Sequence, residues 1–227
     1  IPETLTQIAA KMKESRADLG IVVDPDVDRL ALISENGEMF GEEYTLVAVA
    51  DYVLKHTPGN TVSNLSSSRA LKDVTEAYGQ QYHAAAVGEV NVVAVIGGEG
   101  NGGVIYPESH YGRDALVGVG LFLSHYVAQS KKMTELKSTY PPYFISKNKM
   151  TLSPDMDVDK ILEGLKERYA TEKVTDIDGV KIDFAQGWVH LRKSNTEPII
   201  RIYSEAKDEA AANQLAEEVI AAAKSTL

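Results

Sequence analysis

The sequence predicts an α/β fold that is followed by a smaller C-terminal α+β domain with antiparallel strands. Up to Gln129, short apolar runs with strand composition alternate with helical patterns, and this alternation is typical of parallel βαβ packing. After Gln129, strands follow one another and a long helix closes the chain. A polar segment over 131–142 ends in two prolines and separates the two patterns, so we expect a domain boundary near 130–140.

Each element is predicted from apolar spacing or from a turn signal. Helices are expected where apolar residues recur every three or four positions, as in Leu46, Val47 and Ala50. Strands are expected where short apolar runs end in polar residues, and Asn36-Gly37 marks a tight turn. The first part reads as helix 3–16, strands 19–23 and 30–33, helix 42–54, strand 61–65, helix 69–78, strands 83–87 and 94–96, and helix 114–128. The second part reads as strand 143–149, helix 157–169, a hairpin over 179–184 and 188–191, strand 199–203 and helix 208–224.

The composition excludes several classes of protein. Hydrophobic residues make up 44% of the 227 residues and charged residues 25%, which is globular rather than disordered. No apolar run reaches the roughly 18 residues of a membrane helix. The absence of cysteine excludes disulfides, thiolate metal sites and cysteine nucleophiles. A net charge of −10 disfavours nucleic acid and anionic membranes as partners, so an anionic ligand needs a local cluster of cations or a metal.

The first candidate site is the acidic loop that follows the apolar strand Ile21–Val23. Asp24, Asp26 and Asp28 stand at alternate positions and are followed by Arg29, and oxygen ligands of this kind suit Mg²⁺. A solvated acidic turn is the alternative. An EF-hand is excluded, because its sixth position requires glycine and its flanks require helices. An aspartate-nucleophile phosphatase of the haloacid dehalogenase type stays open as a second interpretation.

The second candidate is the glycine-rich segment Gly97–Gly103. It matches the dinucleotide pattern GxGxxG, but an extended segment ending in Pro107 follows where that motif requires a helix. The dinucleotide interpretation is therefore rejected. Glu99 and Asn101 remain as groups suited to sugar hydroxyls, and a purely structural glycine turn is the alternative.

The third candidate combines cations and hydroxyls in one turn. Its members are Arg192, Ser194, Asn195 and Thr196, with Arg201 on the next strand. Guanidinium groups, hydroxyls and exposed backbone N–H groups together favour phosphate binding.

These three loops, in this order, resemble those of the α-D-phosphohexomutase family, which includes phosphomannomutase/phosphoglucomutase and phosphoglucosamine mutase. The segment DPDVDR is similar to the family's metal loop DGDGDR, GGEGNGG to its sugar loop GGExSGH, and RKSNTEPIIR to its phosphate loop RxSGTEPxxR. The resemblance implies the end of one βαβ domain over 1–40, a complete α/β domain over 41–130, and an α+β domain over 140–227 with an antiparallel sheet and helices on one face.

The resemblance also implies a mechanism and a role for each residue. A cytoplasmic enzyme would interconvert hexose 1-phosphate and hexose 6-phosphate through a phosphoserine and a bisphosphosugar. Asp24, Asp26 and Asp28 would bind Mg²⁺, and Arg29 would be catalytic by stabilising the phosphoryl group. Glu99 and Asn101 would bind the sugar, and the phosphate would be bound by Arg192, Ser194, Asn195, Thr196 and Arg201.

The sequence departs from the family pattern at several points. Gly103 stands where many members have histidine, and no Ser-His-Asn-Pro segment occurs, so the phosphoserine is expected on a missing N-terminal domain and this chain alone is expected to be inactive. A non-catalytic phosphosugar-binding module is the alternative function. Only five residues separate Asn91 from Gly97, which is too few for the family's helix and strand, so residues are expected to be missing near Val93–Ala94.

Overall fold

The computed structural model describes residues 2–86, 94–153, 156–194 and 196–225. The chain divides into two compact units, Ile1–Pro141 and Pro142–Leu227. The prediction of missing residues near Val93–Ala94 concerns a segment, 87–93, that lies outside the described residues. The finer division of the first unit at residue 40 stays a prediction.

The first unit begins with a helix and an antiparallel strand pair. Helix α1 (Pro2–Ser15) precedes β1 (Leu19–Val23) and β2 (Leu30–Ser34). The two strands pair from Leu19 opposite Ser34 to Val23 opposite Leu30, so the acidic loop is the connection between them. The predicted turn at Asn36-Gly37 is confirmed, since Gly37 adopts φ 83° and its N–H donates to the Ser34 carbonyl.

The rest of the first unit is a four-stranded sheet with helices. Its elements are α2 (Glu42–His56), β3 (Thr61–Asn64), α3 (Arg69–Ala77), β4 (Tyr82–Ala85), β5 (Ile96–Glu99), β6 (Gly103–Ile105), α4 (Ala115–Gln129) and α5 (Met133–Lys137). The strand order is β4-β3-β5-β6, with β4, β3 and β5 parallel and β6 antiparallel at one edge. Ligands of such sheets bind at the carboxyl ends of the parallel strands, which here are Asn64 and Glu99.

Two details of this unit differ from the sequence prediction. The strand expected over 94–96 begins at Ile96 and continues through Gly97 and Gly98, so Glu99 lies in the strand rather than in a loop. The glycines carry no side chain that could show the strand period, yet they allow close pairing: a Cβ at Gly98 would lie 2.1 Å from the Gly103 carbonyl oxygen. The polar segment expected as a linker over 131–142 contains the short helix α5.

The second unit is an antiparallel sheet with two helices packed on it. Its elements are β7 (Phe144–Thr151), α6 (Val158–Arg168), β8 (Lys173–Thr175), β9 (Val180–Asp183), β10 (Gly187–Lys193), β11 (Ile199–Ala206) and α7 (Glu209–Lys224), and the strand order is β7-β11-β10-β9-β8. Leu165 of α6 and Val219 of α7 are in one buried cluster with Ile182, Leu191 and Ile202 of the sheet. The predicted fold class, α/β followed by an antiparallel α+β domain, is thereby confirmed. None of the helices in the described part of the chain is long and apolar enough to cross a membrane.

Candidate functional site

The acidic loop between β1 and β2 is shaped by its own first carboxylate. Asp24 Oδ1 accepts hydrogen bonds from the backbone N–H groups of Asp28 and Arg29, at 3.1 and 3.2 Å. Desolvation raises the pKa of Asp24, but these N–H donors, the Asp28 side chain and the charge of Arg29 together outweigh it, so the pKa lies below its usual value. Val27 adopts a positive φ of 57°, and its carbonyl accepts the N–H of Ala115 at 3.1 Å. The loop is therefore attached to the start of α4.

The guanidinium of Arg113 joins the acidic loop to the end of β5. Its Nη2 lies 2.6 Å from Asp28 Oδ2, and its Nη1 lies 2.7 Å from Glu99 Oε2. Arg29 is near the other oxygen of Asp28, with Nε 3.8 Å from Oδ1, and it lies 3.9 Å from Asp24 Oδ2. Tertiary structure thus brings the predicted metal loop and the predicted sugar loop together in one unit.

The three predicted metal ligands are not gathered around one point. Within the described residues, no group of three or more His, Asp or Glu side chains is placed to hold a metal ion. Asp24 accepts backbone N–H groups, Asp28 pairs with Arg113, and Asp26 is exposed. One feature does fit a cation: Asp28 Oδ1 is buried and has no hydrogen-bond partner in the described part of the chain. The assignment of these three residues to Mg²⁺ stays a prediction.

The glycine-rich segment is a tight hairpin that presents Glu99. The Glu99 carboxylate is buried, and its Oε2 accepts a second hydrogen bond from Asn101 Nδ2 at 2.9 Å. Asn101 Oδ1 accepts the N–H of Gly103, which fixes the turn. Gly102 adopts φ 87°, and its carbonyl accepts the N–H of Leu30, so the hairpin lies beside β2. The sequence placed Glu99 and Asn101 in one candidate sugar loop, and in the structure the two side chains also contact each other directly; their binding to sugar stays a prediction.

A serine turn at the end of β3 contacts the same hairpin. Ser67 Oγ accepts the N–H of Gly100 at 3.0 Å, and Glu43 accepts the N–H of Ser68 at 2.7 Å. Gly100 has no room for a side chain, since a Cβ would lie 1.9 Å from Glu43 Oε1. Ser67 and Glu43 were missed by sequence reasoning. The signal for the serines was available, because turns after neighbouring parallel strands meet at one edge of the sheet.

The predicted phosphate turn lies in the second unit, between β10 and β11. The buried Ser194 donates its N–H to the Ile199 carbonyl, and its Oγ accepts the N–H of Thr196 at 3.4 Å. Arg192 and Arg201 face each other directly across the strand pair. Asn195 lies outside the described residues.

Each of the two arginines is paired with a carboxylate. Arg192 Nε lies 3.2 Å from Asp178 Oδ1, and Arg201 Nη2 lies 3.4 Å from Glu197 Oε2. Like charges directly opposite in a sheet repel, and these carboxylates offset that repulsion. Asp178 was missed from the sequence, because it precedes β9 and meets Arg192 only through strand pairing.

Comparison with known proteins identifies the family. Residues 41–143 match the family model described as phosphoglucomutase/phosphomannomutase, alpha/beta/alpha domain III, and residues 147–222 match the model described as its C-terminal domain. The chain belongs to the α-D-phosphohexomutase family. The resemblance inferred from the three loops is thereby confirmed.

Relatives and solved structures agree with this membership. The chain is 36% identical, over 95% of its length, to a phosphoglucomutase/phosphomannomutase of Thermococcus kodakarensis, and covers 49% of that protein. A Burkholderia thailandensis phosphoglucomutase/phosphomannomutase family protein matches with TM-score 0.84 and 24% identity, over 100% of this chain and 50% of the other. Aspergillus fumigatus N-acetylphosphoglucosamine mutase, solved in complex with GlcNAc-6P and magnesium, matches with TM-score 0.58 and 14% identity, over 89% and 51%. The two structures support the fold, and the chain spans about half the length of these proteins.

Proposed function

We propose that this chain is the C-terminal portion of a phosphohexomutase that interconverts hexose 1-phosphate and hexose 6-phosphate. The phosphoryl group would pass through a phosphoserine and a bisphosphosugar, and the serine would come from a segment outside this sequence, which contains no Ser-His-Asn-Pro. The observation that carries the proposal is the Arg113 bridge, which holds the acidic loop and Glu99 at one place. Membership of the family supports the reaction class.

Glu99 and Asn101 are proposed to bind the sugar hydroxyls. Both hydrogen bonds that the Glu99 carboxylate accepts reach Oε2, from Asn101 and Arg113, and Oε1 accepts none from the described residues. The fully buried atoms without a partner in the described residues do not include Oε1, so Oε1 is accessible to a hydrogen-bond donor from a ligand. A sugar hydroxyl is such a donor. The pattern does not favour one hexose over another.

The turn between β10 and β11 is proposed to bind the phosphate that is not being transferred. Arg192, Ser194, Asn195, Thr196 and Arg201 supply two guanidinium groups, two hydroxyls and backbone N–H groups. The Arg201 side chain is 44% exposed, and its pair with Glu197 at 3.4 Å is an exposed contact of the kind that contributes about 1 kcal/mol or less. A phosphate dianion therefore competes well for this arginine, because charge-assisted bonds are worth more, about 1.5–3 kcal/mol.

Mg²⁺ is proposed as the cofactor of the acidic loop. Asp24, Asp26 and Asp28 would supply oxygen ligands, and this is supported by the buried Asp28 Oδ1, which has no hydrogen-bond donor among the described residues. When bound, the ion would neutralise charge on the transferred phosphoryl group. Arg29, whose side chain is exposed, would stabilise the same group. Side-chain rotation is required first, because the three carboxylates are not gathered in this structure.

Calorimetry with two ligands tests the division between sugar and phosphate. We expect Arg201→Ala to weaken the binding of inorganic phosphate and of hexose phosphate alike, by about tenfold to a hundredfold. Glu99→Ala is expected to weaken only hexose phosphate, because its partners are hydroxyls. Arg168→Ala on α6 and Glu76→Gln on α3 serve as matched controls. Equal losses for Arg201→Ala and Glu99→Ala with both ligands would refute the proposed roles.

A further inference from the structure

The side chain of Arg113 joins the two loops of the first unit, and Arg113 lies outside the three loop segments that resemble the family's motifs. Its two terminal nitrogens contact two different carboxylates, Asp28 Oδ2 at 2.6 Å and Glu99 Oε2 at 2.7 Å. The Glu99 side chain is 8% exposed and that of Arg113 is 31% exposed. A carboxylate this buried is stable only when it is paired and hydrogen-bonded, and Arg113 supplies the positive charge.

The neighbouring backbone is built to admit this side chain. A Cβ at Gly103 would lie only 2.6 Å from Arg113 Cδ, so any other residue at 103 would displace the arginine. Gly103 is not among the glycines with positive φ, so it is the space that requires glycine here and not the backbone conformation. The next residue, Asp114, donates its N–H to the Val104 carbonyl and caps α4, which fixes the start of the arginine side chain.

The contacts of Glu99 show what Arg113 accomplishes. Arg113 and Asn101 both donate to Oε2, so the carboxylate is fixed through one oxygen while Oε1 accepts no hydrogen bond from the described residues. A planar guanidinium can hold two carboxylates at once, and an ammonium on a flexible chain cannot hold both in the same fixed geometry. Without Arg113, Asp28 and Glu99 would also be two neighbouring carboxylates that lack a shared counter-charge.

We propose that Arg113 is a positioning residue for sugar recognition, which fixes Glu99 so that Oε1 accepts hydrogen bonds from the hydroxyls of a hexose phosphate. It also holds the glycine-rich hairpin against the acidic loop. The inference rests on the proposed function, since it needs Glu99 to bind the sugar. Arg113 itself acts through Glu99 and need not contact the ligand.

Three variants test this in calorimetric titrations with glucose 6-phosphate and with inorganic phosphate. Arg113→Ala is expected to weaken the binding of glucose 6-phosphate about tenfold to a hundredfold. Its affinity for inorganic phosphate is expected to change less than about twofold. Arg113→Lys keeps the charge, and Gly103→Ala keeps the arginine but displaces it. Both variants are expected to bind glucose 6-phosphate about threefold to tenfold more weakly. In a Glu99→Ala background, adding Arg113→Ala is expected to weaken glucose 6-phosphate binding by less than about a further twofold, because the two residues act as one unit.

The outcomes separate this inference from the proposed function. If the unaltered chain binds glucose 6-phosphate no more tightly than inorganic phosphate, the sugar site itself is wrong and the role of Arg113 falls with it. If the unaltered chain discriminates between the ligands and all three variants keep that discrimination, only the role of Arg113 is wrong. Equal losses for both ligands, together with a lower melting temperature, would show a purely structural role and also overturn the inference.

Discussion

The buried His190 of β10 should make the second unit lose stability below neutral pH. Its Nε2 lies 2.7 Å from the Asp178 carbonyl oxygen, and the side chain is almost fully buried. Burial lowers the pKa of His190 from 6.5 to about 4; the Asp178 carbonyl opposes this shift, and the positive charges of Lys181 and Arg192 add to it. Between pH 4 and 6.5 the histidine is therefore mostly neutral in the folded unit and mostly protonated in the unfolded chain.

The size of the effect follows from the difference between the two pKa values. The unfolded chain binds the proton more readily than the folded unit. The free energy of unfolding is therefore unaffected by His190 above pH 6.5 and falls as the pH is lowered towards 4. Each unit of difference is worth about 1.4 kcal/mol, so the total loss is about 3 kcal/mol and about 2 kcal/mol occurs between pH 6.5 and 5. The pKa of His125 in the first unit is also lowered, chiefly by burial, so it acts in the same direction there.

Urea unfolding followed by tryptophan fluorescence measures this in the second unit. Trp188 is the single tryptophan of the sequence and is buried in β10, so its emission reports that unit. His190→Gln keeps a side-chain donor for the carbonyl but does not titrate, and should remove about 2 kcal/mol of the pH-dependent loss between pH 6.5 and 5. His83→Gln, at an exposed position of β4 in the first unit, is the control for replacing a histidine outside the second unit. Full pH dependence retained in His190→Gln would show that another group causes the loss of stability.

Three further predictions concern the loops. Gly100→Ala places a methyl group 1.9 Å from a carboxylate oxygen of α2 and should lower the free energy of unfolding by about 1–3 kcal/mol, whereas Gly120→Ala, with open space and a helical position, should raise it by about 0.5–1 kcal/mol. Mg²⁺ should raise the melting temperature of the unaltered chain, and Asp26→Asn should reduce that rise; identical responses would contradict a metal site in the acidic loop. Asp178→Asn releases Arg192 and should tighten inorganic phosphate binding severalfold in calorimetry. Weaker binding would show that the carboxylate positions Arg192 for the phosphate.

The sequence was sufficient for most of the elements, though not for α5 or β8, and for grouping the candidate residues into three loops. Apolar spacing defined helices such as α2 and α4, because burial of one helical face leaves a local period in the chain. The turns at Asn36-Gly37 and before β11, where Pro198 stands, could also be predicted locally, because turn conformations depend on the residues that adopt them. Glu99 with Asn101, and Arg192 with Arg201, were recognised because chemically suited groups stand close together in the sequence.

Tertiary structure decided which of these groups face one another. Arg113 lies fourteen positions from Glu99 in the sequence and far from Asp28, and only the packing of α4 beside β2 and β6 brings its guanidinium to both carboxylates. The strand through Gly97 and Gly98 was hidden because glycine carries no side chain to show a period, and the pairing of Asp178 with Arg192 required strand register. These contacts join residues that are distant along the chain, and a sequence pattern records only the local part of what folding brings together.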